Sequence, residues 1–125
     1  MIHNIKVFLV DNDLTALNKY RQGLEKNGYK DIHLFLNGVI CLNNLHHKPS
    51  IVFLNHPIDE SSSFDILKKI KLHYPDIYVI IMSNQENVNL AVDVVRHGAF
   101  DYLVKGDNEI VKMSQVIERV FLLDR

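Results

Sequence analysis

The stretch Pro49-Ser50-Ile51-Val52-Phe53-Leu54-Asn55 decides the fold. Its large apolar side chains follow one another without alternation, the pattern of a strand buried on both faces at the centre of a parallel sheet. Asn55 ends the run, and a polar loop follows at once, His56-Pro57-Ile58-Asp59-Glu60-Ser61-Ser62-Ser63. Ligands and chemistry gather at the carboxyl ends of strands in open α/β sheets, so residue 55 weighs heavily on function. It is an amide, where an acid would have been the informative choice.

Outward from this strand, apolar runs alternate with amphipathic stretches. Lys6 to Val10 is the first strand and Leu14 to Asn27 the first helix, with Leu17, Tyr20 and Leu24 on one face, Asp13 placed to cap its start and Gly28 to stop it. Ile32 to Phe35 is a second, less apolar strand suited to a sheet edge, and Gly38 to His46 a short helix. After the central strand, Ile51 to Asn55, the residues Phe64, Leu67, Ile70 and Tyr74 recur at helical spacing up to Pro75, with Ser62 and Asp65 spaced as a capping pair. Tyr78 to Ser83 is the fourth strand. Val88, Ala91, Val92 and Val95 mark the fourth helix, which Gly98 closes. Tyr102 to Val104 is the fifth strand, and Ile110, Met113, Ile117, Val120 and Phe121 line a final helix. Such β-α units with short connections predict a doubly wound α/β domain, a five-stranded parallel sheet with helices on both faces and right-handed crossovers.

With 125 residues, 47% of them apolar and 23% charged, the chain reads as one soluble globular domain, residues 1–125. A net charge of −1 exerts no global pull on nucleic acid or anionic membrane, and no recognition-helix pattern is present. The amino-terminal residues lack the features of a secretion signal, and no apolar run approaches membrane-spanning length, so the expected location is the cytoplasm. Cys41, the single cysteine, excludes an internal disulfide and reads as a small core residue. His46, His47 and His56 have no partners at metal-ligand spacing and read as solvated loop residues. The final helix meets Arg125 without a stop signal, consistent with a first domain of a longer protein.

The carboxyl ends of the strands carry Asp11 and Asn12, Asn55, Ser83 and Lys105. A parallel sheet is expected to point them all into one crevice. Chemically the set is a carboxylate, two amides, a hydroxyl and an ammonium.

At these residues the chain resembles the receiver domains of two-component response regulators, along essentially its whole length. The resemblance rests on Val7-Phe8-Leu9-Val10-Asp11-Asn12-Asp13, on Pro49 to Asn55, on Val79-Ile80-Ile81-Met82-Ser83 and above all on Gly98-Ala99-Phe100-Asp101-Tyr102-Leu103-Val104-Lys105. It implies a flavodoxin-like strand order 2-1-3-4-5. It also implies a signalling module of phosphorelays, with no enzymatic activity of its own to expect. In that family an aspartate ending the third strand takes a phosphoryl group from a histidine kinase, with Mg²⁺ held by an acidic pair after the first strand. By position the acceptor falls on Asn55, the acidic pair on Asp11 and Asn12, the phosphoryl contacts on Ser83 and Lys105, and the aromatic switch on Tyr102. The face that receivers use for dimers and partners maps to the fourth helix, fifth strand and last helix, where Arg96, Asp101, Lys112 and Arg119 stand. An ordinary solvated surface weighs equally for these four.

The departures from the family pattern have physical consequences. A neutral amide has no ionised oxygen to attack phosphorus, so Asn55 cannot form the acyl phosphate. Mg²⁺ wants carboxylate and phosphate oxygens in octahedral array; with Asn12 and Asn55 in place of two acids, its affinity is expected to collapse. Asn55 donating to Asp11, with Lys105 paired to Asp11, would form a locked polar cluster. Asp59 and Ser63 stand where the family usually has proline and glycine. Asn84 replaces a small residue and could cap the fourth helix. Gly106 replaces a proline that follows a cis peptide, and a cis bond without proline costs roughly 2.5 to 4 kcal/mol, so the Lys105-Gly106 bond is expected to be trans. The favoured expectation is a receiver-type binding module, not phosphorylated at the usual place and working through a protein partner or a homodimer. The alternative is a phosphoacceptor that uses Asp11, Asp13 or Asp59 with Mg²⁺. A nucleotide or flavin site ranks last, since no glycine-rich loop follows the first strand and Asp11-Asn12-Asp13 would repel phosphate.

Overall fold

Strands β1 (Lys6–Val10), β2 (Asp31–Phe35), β3 (Ile51–His56), β4 (Tyr78–Ser83) and β5 (Asp101–Val104) alternate with helices α1 (Leu14–Lys26), α2 (Gly38–Asn43), α3 (Ser63–His73), α4 (Val88–Arg96) and α5 (Glu109–Leu123). The computed structural model of the protein describes residues 4–58, 63–106 and 108–123. The strands form one five-stranded parallel sheet in the order β2-β1-β3-β4-β5, the predicted doubly wound arrangement.

The central strands lack polar alternation because each of their faces is covered. On one side Val7, Leu9, Ile51, Phe53, Ile80 and Met82 pack with Leu17, Tyr20 and Leu24 of α1 and Met113, Ile117 and Val120 of α5. On the other, Phe8, Val10, Val52, Leu54, Val79 and Ile81 pack with Cys41 of α2, Ile66, Leu67 and Ile70 of α3 and Val94 of α4. Burial pushes the Cys41 thiol up to about 12, consistent with a core residue. β2 lies at the edge, and none of its residues is fully buried.

Local signals at helix ends behave as their chemistry dictates. The Asp13 carboxylate accepts from Thr15 N at 3.0 Å and Ala16 N at 3.4 Å, capping α1. Gly28 and Gly98, just past α1 and α4, take φ of 95° and 105°, the left-handed region in which a side chain is disfavoured.

Several expectations need correction. The predicted Gly38–His46 helix stops at Asn43 and passes into a single 3-10 turn, Leu45–His47. Asn44 explains the break, since its side chain donates to Ile40 O at 2.8 Å and competes with the helical ladder. The fourth helix is capped by Asn87, whose side chain accepts from Leu90 N at 3.0 Å; Asn84 lies too far upstream of Val88. Its apolar period is right but its face is not: Val88, Val92 and Val95 are 77, 43 and 53% exposed, and Val94 is the buried residue. With valine, leucine or alanine at most of its positions, α4 offers the periodicity no unique inward side. Elsewhere boundaries shift by one residue: α1 ends at Lys26, β2 begins at Asp31, β3 runs through His56 and β5 begins at Asp101. Ser62 lies outside the described residues, so the capping pair with Asp65 does too. Among the described residues His56-Pro57 is the cis peptide, and Lys105-Gly106 is trans.

Candidate functional site

Strand parity decides which of the polar strand ends meet. Side chains alternate across a sheet, so Asp11 follows Val7 and Leu9 to the α1 side, and Asn55 follows Ile51 and Phe53. Lys105, two residues beyond Leu103, joins them, and the three line one cavity with Tyr20 and Met82. Ser83 has the parity of Val79 and Ile81 and belongs to the opposite side with Tyr102. Asn12 is exposed. One crevice therefore gathers Asp11, Asn55 and Lys105, and not all five.

Within it, the Lys105 ammonium donates to Asp11 Oδ2 at 3.0 Å, while Asp11 Oδ1 accepts from Asp13 N, also at 3.0 Å. Both oxygens of the carboxylate are thus engaged. Asn55 does not donate to Asp11 as expected. Its Nδ2 donates to Pro57 O at 2.8 Å, because the loop turns back over the strand end and offers the nearer acceptor. The space enclosed is about 10 Å³, room for one water at most.

Mg²⁺ fits this donor set poorly. It asks for near-octahedral oxygens built on one or two carboxylates, and the carboxylate lining the cavity, Asp11, is already held by an ammonium and a backbone N–H. Of the substitute acceptors, Asp11 is paired with Lys105, the Asp13 carboxylate caps α1, and Asp59 lies outside the described residues. Among the described residues no group of three His, Cys, Asp or Glu side chains is placed to hold a metal ion. His46 and His47 are exposed. His56, by contrast, is no solvated loop residue. It closes β3, its Nδ1 bonds the buried Ser63 hydroxyl at the start of α3, and burial lowers its pKa.

On the α4 side the loop after β4 is clamped at one residue. Ser83 Oγ accepts from Gln85 N at 3.2 Å, and the Tyr102 hydroxyl donates to Gln85 O at 2.6 Å. The charged residues of the candidate interaction face are mostly tied to their own chain. Arg119 pairs with Asp101 and lies 5.4 Å from the Phe100 ring centre, and Lys112 donates to Val104 O at 3.2 Å. Arg96, in the last turn of α4, is exposed.

Sequence reasoning missed Glu109. This acid in the first turn of α5 is buried, and it accepts from Lys19 Nζ and from Gly106 N, each at 2.6 Å. Burial would raise its pKa, but these bonds and the charges of Lys19 and Lys105 outweigh it, and the carboxyl sits below its ordinary value. The available signal was spacing: a carboxylate three residues after Gly106 has the reach of a capping-box acid. Tyr20 is the other omission. Its ring lies 5.9 Å from Lys105 Nζ, and burial, followed by the charges of Glu109, Asp11 and Asp13, raises its hydroxyl pKa.

A flavodoxin-like sheet with a polar crevice at its carboxyl edge defines the class, and comparison with known proteins gives the family. The chain belongs to the response regulator receiver domain family, whose model it matches over residues 7–117. It is similar to the luminescence regulatory protein LuxO of Vibrio campbellii, 28% identical over 98 residues that cover 78% of this chain and 21% of that protein. It is similar also to the transcriptional regulatory protein ZraR of Klebsiella oxytoca, 30% identical over 102 residues, covering 81% and 23%. The chain therefore spans 21 and 23% of the lengths of these regulators. Among solved structures it resembles the BeF3-activated DrrB receiver domain, with TM-score 0.83, 26% identity, and coverage of 97% of this chain and 98% of that one. The signal receiver domain of a LuxO repressor protein from Vibrio parahaemolyticus matches with TM-score 0.83 and 27% identity, over 96% of this chain and 95% of that one.

Proposed function

We propose that this receiver domain is a pseudo-receiver of two-component signalling, not phosphorylated at position 55 and acting by protein–protein association. The observation that carries the reading is the Asn55 amide, neutral and spent on Pro57 O, beside an Asp11 carboxylate already neutralised by Lys105. Without a phosphoryl group to pull on Ser83 and Lys105, the balance between conformers is set by the sequence and by a partner's differential affinity. Mg²⁺ is no working cofactor of such a site. Incubation with radiolabelled acetyl phosphate and Mg²⁺ tests the reading, which expects no acid-stable, base-labile label on the chain; such a label overturns it.

The face for association is that of α4, β5 and α5. Val88, Val92 and Val95 give it exposed apolar surface, and Arg96, Asp101, Lys112 and Arg119 give it charge. Its partner is a second copy or another signalling protein, a histidine kinase among the candidates, and neither nucleic acid nor membrane. Sedimentation of the parent beside Val92→Asp tests the homodimer: concentration-dependent association lost in the variant supports it, and a parent that stays monomeric excludes it. Residues 1–125 are read as one receiver unit of a longer regulator, as in the LuxO and ZraR relatives. A cytoplasmic setting accords with the buried Cys41 thiol and with the described residues, among which no helix is long and apolar enough to cross a membrane.

A further inference from the structure

Lys105 directly follows the last residue of β5, and its two flanking peptides are fixed by different means. The one before it is held by the sheet, since Lys105 N donates to Ser83 O at 2.7 Å. The residue after it, Gly106, is exposed, and nothing lies within 4 Å of where a Cβ on it would stand. Among the described residues, the peptide that follows Lys105 is tied by the bond from Gly106 N to Glu109 Oε2, 2.6 Å long. A proline at 106 would have no N–H for this bond. The carboxylate is itself well anchored. It is buried in the first turn of α5, where the helix dipole favours an anion, and its other oxygen takes the Lys19 ammonium from α1 at 2.6 Å. Lys19, Lys105, Gly106 and Glu109 border one groove of about 410 Å³.

We infer that Glu109 is the positioning residue for Lys105: by accepting the Gly106 N–H it fixes the peptide that leaves β5 and so holds the Lys105 ammonium on Asp11. The rival is a staple between α1 and α5 that works through Lys19 alone and leaves Lys105 indifferent. The inference concerns the chain's own geometry and stands apart from whether residue 55 is phosphorylated.

Trace labelling of amines with a small acylating reagent, read at Lys105 by peptide mass spectrometry, separates the two. In Glu109→Ala, shown to be folded by circular dichroism, Lys105 labelling is expected to rise about fivefold, the equilibrium worth of one hydrogen bond. In Lys19→Met it is expected to stay within about twofold of the parent, because the Gly106 bond survives. Unchanged Lys105 labelling in folded Glu109→Ala, or an equal rise in Lys19→Met, overturns the inference. Amide hydrogen exchange on the parent needs no variant: the Gly106 amide is expected to be protected, and free exchange there contradicts the role of Glu109.

Discussion

Lys105 Nζ lies 3.0 Å from Asp11 Oδ2, with the lysine side chain 13% and the aspartate side chain 4% exposed. Two charges so shielded depend on each other, since either one alone is left desolvated and unpaired.

Removing one partner should therefore cost far more than removing both. Lys105→Met is expected to destabilise the fold by about 3 kcal/mol, because the buried Asp11 carboxylate loses its counter-charge. Adding Asp11→Asn should recover much of that loss, giving a coupling of about 1–3 kcal/mol in a double-mutant cycle. Urea unfolding of the parent, both single variants and the double variant measures it. Additive losses would mean that the pair is incidental.

Magnesium distinguishes the present site from one that carries the acidic set. The parent melting temperature is expected to be indifferent to Mg²⁺. An Asn12→Asp, Asn55→Asp variant carries the acidic set and should gain about 1.4 kcal/mol when Mg²⁺ exceeds its Kd about tenfold. Thermal melts with and without Mg²⁺, at matched ionic strength, provide the comparison. Stabilisation of the parent would show that the remaining oxygens suffice.

Glu109 makes the acid limb of stability informative. Its folded pKa lies below the ordinary 4.5, with burial opposing and the Lys19 and Gly106 bonds prevailing. A carboxyl shifted in this direction contributes stability that is complete above its unfolded value and is lost as pH falls through the folded one. The difference in urea midpoint between the parent and Glu109→Gln should be constant above pH 4.5 and shrink below it. A difference that grows on acidification would reverse the sign.

The sheet was legible because β1, β3 and β4 carry apolar residues on both faces, a demand that only a doubly covered sheet makes. Asp13 and the glycines at 28 and 98 were legible for the same local reason, since capping and positive φ are decided within a few residues. The inward side of α4 was not, because its abundant valines satisfy more than one orientation. At the site, the Asp11–Lys105 pair followed from strand ends in a parallel sheet, whereas counting parity along β4 would have sent Ser83 to the other side. The Asn55 partner depended on how the loop turns at Pro57; the spacing of Glu109 from Gly106 was a local signal, but its bond to Lys19 depended on the approach of α5 to α1.

Intact-mass spectrometry after incubation with acetyl phosphate and Mg²⁺, on the parent beside the Asn12→Asp, Asn55→Asp variant, tests the central claim most directly. The account predicts no phosphoryl adduct on the parent and one on the variant, the scaffold being sound and only the acceptor chemistry lost. A phosphoryl group on the parent, acid-stable and base-labile, would contradict it and point to another aspartate as the acceptor.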